Sequence, residues 1–297
     1  MDIAALIRTG VLCSMMLLVL ALGLRSAPGD ARYLLARPSL LVRSLLAMNV
    51  VMPLLVLWLV MTFDLRPPVK IALFALSISP VPPFLPGKQL KLPASQGYTY
   101  GLFAATALFA IVLVPLTMTW IGGRVSAGVP VSAAKVLSIV AMTVLIPLAV
   151  GIVVRHFAPG PAARVAPVAD KLGSVLLIVA FIPVLIVQWP AIRSLLGDGT
   201  LLAIVAFTAL GLAVGHLLGG PQPEDRSVLA LASASRHPAV ALAIGAASFP
   251  EQKLVPAAVL LALIVGILAS APYTAWRKRL RAGDVGGPTH SPMPGPR

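Results

Sequence analysis

About nine stretches of roughly twenty apolar residues run through this chain, and they limit its fold more than any other feature. An α-helix rises about 1.5 Å per residue, so roughly 20 apolar residues span the ~30 Å hydrocarbon layer of a bilayer. The stretches lie near 3–24, 40–62, 68–92, 97–120, 131–154, 169–189, 199–219, 226–248 and 254–273. Charged residues make up 11% of the 297, where a soluble domain carries roughly 25%. The expected fold class is therefore an all-α polytopic membrane protein with about nine transmembrane helices. A single transmembrane domain is expected over residues 1–275. Soluble enzymes and nucleic-acid-binding modules are excluded. Residues 282–297, rich in Gly and Pro, hold too little apolar surface to order themselves and are expected to form a disordered cytoplasmic tail.

The net charge of +14 reflects the habit of cytoplasmic loops to collect Lys and Arg. With the C-terminus inside, the inner loops hold 14 basic residues and the outer loops 7, setting aside Arg236 and the tail residue Arg297. The N-terminus is thus expected outside and the C-terminus in the cytoplasm, with the chain in the inner (plasma) membrane. The run from Val11 to Leu24 reads as a retained helix, because no small-x-small cleavage site follows it. The lone cysteine, Cys13, can form no intramolecular disulfide.

Two stretches cannot be continuous helices. The third contains SPVPPFLP, with Ser79, Pro80, Pro82, Pro83 and Pro86, and each proline removes a donor and clashes with the preceding turn. The eighth reads LASASRHPAVALAIGAA, with Arg236, His237 and Pro238 at its middle. If the first half lacks one helix of a five-helix unit, stretches one to four align with six to nine. The third then pairs with the eighth in opposite orientation. This predicts inverted repeats, about 1–122 and about 130–275, with two broken crossing helices. Such breaks mark the binding region of secondary transporters.

All nine acidic residues read as loop or tail residues, among them Asp170, Glu224 and Asp225. Intramembrane enzymes that work through carboxylate pairs or carboxylate-held metals are therefore not expected, and no metal or cofactor site is read. Arg236 stays charged, so its burial demands an anion, carbonyl groups or water. It is the first candidate for binding an anionic substrate. His237 either carries a proton or bonds the carbonyls freed by the break. Ser233 and Ser235 lie near the break, where small residues also serve helix packing. Asn49 either lines the crossing or bonds between helices. His216 and Gln188 read as interfacial or packing groups, and Lys88, Gln89 and Lys91 as cytoplasmic surface.

ARPSLLVRSLLAMNVVMPLL, the Ser-Pro break and SRHPAVALAIGAASFP together resemble the bile acid:sodium symporter family, over most of residues 20–275. The resemblance implies two inverted five-helix repeats with crossing broken helices, and transport of organic anions, often with sodium. Nine helices with the first one missing resembles the animal members. Where sodium-coupled members carry a Glu four residues before a Gln-Asn pair, this sequence has Ala232 and then Arg236-His237. Val81 and Pro82 replace two glycines after Ser79-Pro80, and a Gln expected before the Met-Pro run is Met48, beside Asn49. The resemblance therefore implies a carrier of a small organic anion that lacks the family's sodium sites. Sodium coupling through rebuilt sites, or a non-transporting membrane sensor or assembly protein, are the alternatives.

Overall fold

The computed structural model describes residues 3–27, 29–92, 94–122, 124 and 133–285, and all regular structure among them is helical. In chain order the helices are α1 (Ile3–Arg25), α2 (Asp30–Leu35), α3 (Pro38–Thr62), α4 (Pro67–Ile78), α5 (Leu85–Gln89) and α6 (Gln96–Ile121). They continue with α7 (Ser138–Phe157), α8 (Pro159–Ser194), α9 (Thr200–Leu218), α10 (Pro223–Ala234), α11 (Pro238–Ser248) and α12 (Val255–Val285). Seven spans among the described residues are long and apolar enough to cross a membrane, counting the α10–α11 pair as one; α4 is a shorter apolar helix. The chain is a polytopic membrane protein.

The third stretch is divided, as its prolines dictate, into α4 and the five-residue α5. Three boundaries differ from the sequence reading. The sixth starts at Pro159 and runs 36 residues, about 54 Å, so it projects beyond a bilayer core. Its charged first turns, with Arg164, lower the local hydropathy, whereas Pro159 at the helix start costs no hydrogen bond. Glu224 and Asp225, read as loop residues, lie in the first turn of α10, which begins at Pro223; acidic side chains complement a helix N-terminus. Asp225 is buried and accepts the Tyr33 hydroxyl at 3.2 and 3.3 Å. Helix α12 continues to Val285; residues 286–297 of the expected tail, and 125–132 ahead of the fifth stretch, lie outside the described residues.

The helices form two bundles. In one, α1 packs against both α7 and α8. Gly23 and Gly151 allow that approach: a Cβ on Gly23 would stand 2.8 Å from the Cα of Gly151. Arg25 also reaches Asp170 on α8 at 3.1 Å, with both side chains about a third exposed. An exposed pair of this kind contributes little, so Asp170→Asn is expected to lower stability by less than about 1 kcal/mol in a thermal unfolding assay. The other bundle comprises α3, α4–α5, α6, α9, α10–α11 and α12. Burial separates the roles of the spans: 78% of the apolar window of α10–α11 is enclosed, against 11% for α8, which presents its side chains outward. The bundles meet where α6 touches α7 and where α8 touches α12.

Within the second bundle α4 packs on α11, and α5 on α10. First half thus meets second half in both directions, and the two broken spans cross at their breaks.

Candidate functional site at the helix crossing

Both breaks are made by the same local rule. A residue before proline is pushed out of the helical region and into extended backbone. Ser79, before Pro80, ends α4 at φ −77° and ψ 151°. His237, before Pro238, stands at φ −70° and ψ 106° and leads into α11. Ser235 ends α10 in the same extended region, at φ −112° and ψ 125°. The breaks then bond to each other, as the backbone N–H of His237 donates to the carbonyl of Pro80 at 2.9 Å.

Arg236 lies between the two halves of its span and is 3% exposed. Its Nε donates to the carbonyl of Ser233 at 3.2 Å, Nη1 to that of Ser79 at 3.1 Å, and Nη2 to that of Met48 at 2.8 Å. One guanidinium therefore ties α10, the break after α4 and the middle of α3. Those carbonyls have reason to be free. Ser233 and Ser79 stand at helix ends, whose last carbonyls lack intrahelical donors. Met48 lies in a π-helical turn, Ala47–Val51, that loosens the regular ladder of α3. Carbonyls of unwound helix are also what sodium-coupled carriers offer to their ion. Three of the five guanidinium N–H groups are spent here, leaving two.

The other sequence candidates are spread over the crossing and the elements beside it. Ser233, Ser79, Pro80 and Pro238 are buried at the crossing. Ser79 Oγ bonds back to Ala75, and Ser233 Oγ has no partner among the described residues. Pro82 and Pro83 are buried in the turn between α4 and α5, where the Pro82 carbonyl accepts the N–H of Leu85 at 3.1 Å. His237 is fully buried and neither ring nitrogen has a partner among the described residues. Asn49 stands apart: its amide points to the carbonyl of Leu45 at 3.3 Å, and the neighbouring Met48 carbonyl is what reaches Arg236. Gln89, read as surface, is 1% exposed and ties α5 to α10 by donating to the Val228 carbonyl at 2.8 Å. His216 bonds the hydroxyl of Tyr273 at 2.9 Å, a packing contact between α9 and α12.

A cavity of about 310 Å³ opens from the crossing between α5, α9, α10 and α12. Arg236 and Ser235 line it, with Lys88, Lys91 and Lys278, and no acidic residue among those described does. Its remaining wall is largely apolar, including Phe207, Leu231 and Leu263. Sequence reasoning named Arg236 and Ser235 but not the open end of the cavity: Lys88 and Lys91 are exposed, as read, and nothing local relates them to Lys278. Among the described residues no cluster of three His, Cys, Asp or Glu side chains could hold a metal ion.

No curated protein matches the chain. A model of the Sodium Bile acid symporter family matches residues 11–194, well over half of it. The matched segment contains the break after α4 and the Met48 turn; Arg236 and His237 lie beyond it. Membrane-spanning helices, a crossing of two broken spans and this match agree, and members of the family are transporters. The chain belongs to the Sodium Bile acid symporter family.

Proposed function

We propose that this protein is a secondary carrier of a small organic anion in which the Arg236 guanidinium fills the place that a dissociable sodium ion takes in sodium-coupled relatives. The observation that carries the reading is the guanidinium itself, buried and bonded to three carbonyls of three chain segments. A carbonyl cage already occupied by a fixed cation has no room for a mobile one. The absence of a carboxylate at Ala232 supports the same conclusion. The two remaining N–H groups of Arg236, with Ser235, serve the anion from the cavity. His237, Ser233 and Asn49 shape the crossing around it, with His237 as the candidate proton relay. Transport moves the α1, α7 and α8 bundle against the other across the seam between them. The excess of basic residues on one side supports an N-terminus outside and a cytoplasmic C-terminus, in the inner membrane. The lysine end of the cavity then faces the cytoplasm.

The test is thermal stability of the detergent-purified protein against a panel of organic anions, each in Na⁺ and in K⁺. A ligand at 100 times its Kd stabilises by about 2.7 kcal/mol in a one-site scheme. The expected result is equal stabilisation in both cations for wild type. Stabilisation confined to Na⁺ would restore sodium coupling and overturn the reading. No stabilisation by any anion, together with no flux in proteoliposomes, would point to a sensor or assembly role instead.

A further inference from the structure

The cavity holds more positive charge than one carboxylate needs. Arg236 closes its buried end, and Lys88, Lys91 and Lys278 are exposed at its mouth. The ion pairs among the described residues, Arg25–Asp170 and Arg66–Asp198, involve none of these four cations. The ammonium of Lys88 stands 5.2 Å from the ring centroid of Phe84, a weak contact that leaves its charge unneutralised. Like charges gathered around one cavity repel one another, and an anion bound among them relieves that repulsion. Between the two ends the wall is largely apolar, with Leu231 on α10, Phe207 on α9, and Leu263 and Ile267 on α12; the Ser270 and Thr274 hydroxyls, which also line it, donate to carbonyls of their own helix. From Ala262 to Lys278 the α12 side of the slot extends about 24 Å. A polar linker would lose its hydration against that wall and find few partners. At about 310 Å³ the slot is at the lower limit of cavities that enclose small organic ligands, so its occupant is slender.

Resting on the carrier reading above, we infer that the substrate is an elongated dianion: two acidic groups separated by a short apolar linker. The inner group docks on Arg236 and Ser235, the outer group on the lysines at the mouth. A carrier built for a monoanion has use for the inner end alone.

Suberate and octanoate share their chain length and differ in the second carboxylate. Their affinities are to be measured by thermal-shift titration of the purified full chain in neutral detergent. Wild type is expected to bind suberate about tenfold more tightly than octanoate, the effect of a few partly exposed ion pairs. In the Lys88→Gln/Lys278→Gln variant that ratio is expected to fall to about one, with the unliganded melting temperature as the check on folding. Equal affinities in wild type would overturn the dianion while leaving the anion carrier standing. So would a suberate preference that survives the lysine substitutions. If neither acid binds, the dianion class is overturned, and the carrier reading is still judged by the wider panel in Na⁺ and K⁺.

Discussion

Arg236→Ala is expected to cost the protein most of its stability. The substitution removes the donors that Arg236 presents to the carbonyls of Ser233, Ser79 and Met48. Each buried acceptor left without a partner costs about 1–3 kcal/mol, so three cost roughly 3–6 kcal/mol after partial relaxation. Arg236→Lys separates charge from reach. A lysine keeps the positive charge, but a single ammonium nitrogen cannot extend to carbonyls of three chain segments as a planar guanidinium does. It is expected to recover less than half of the loss. Thermal unfolding of the three proteins in detergent decides the matter. An alanine variant that melts with wild type would mean that the guanidinium does not hold the crossing together, and the sodium-replacement reading would go with it.

Gly215→Val is expected to have a comparable effect through packing alone. Gly211 and Gly215 on α9, and Gly219 at its C-terminal cap, form a stripe against α10. A Cβ on Gly215 would stand 2.5 Å from the Cα of Ala230, and on Gly219 2.5 Å from the Cα of Arg226. Both obstacles are backbone, which cannot turn aside as a side chain does. Relief requires α9 to move away from α10 and so to shift the segment that carries Arg236. The expected loss exceeds about 3 kcal/mol, above the usual range for an overpacked core. Gly87, with nothing within 4 Å of its would-be Cβ, supplies the control: Gly87→Ala is expected to stay within about 0.5 kcal/mol of wild type. Similar melting of the Gly215 and Gly87 variants would refute the close α9–α10 packing.

The parts of this fold that follow local rules were legible in the sequence. A proline dictates the conformation of its predecessor wherever it stands, so the breaks at Ser79-Pro80 and His237-Pro238 were readable without knowing what they touch. Apolar length likewise located the spans. Hydropathy failed at the ends of helices, where charged residues extend a helix past its apolar part, as at Arg164 on α8 and Asp225 on α10. The partners of Arg236 carried no signal at all. They are backbone carbonyls, 157 and 188 residues away for Ser79 and Met48, and every residue type offers the same carbonyl. Asn49, the conspicuous polar residue of α3, drew attention that belonged to its neighbour's main chain. The lysine mouth was hidden for a related reason, since Lys88 and Lys278 become neighbours of one cavity only after α5 and α12 are packed.

The carbonyl cage around Arg236 also has an energetic consequence. A dissociable sodium ion is released on the far side of the membrane and delivers the work stored in its gradient. A guanidinium bonded into the chain returns with the carrier at every cycle and delivers none. For the anion carrier proposed above, the membrane voltage then acts on the cargo alone. With the interior negative, each negative charge moved outward is favoured by about 2.3 kcal/mol per 100 mV, and a dianion by twice that. At equal concentrations on the two sides the spontaneous flux is export, and uptake requires a second anion leaving in exchange or protons entering with the substrate.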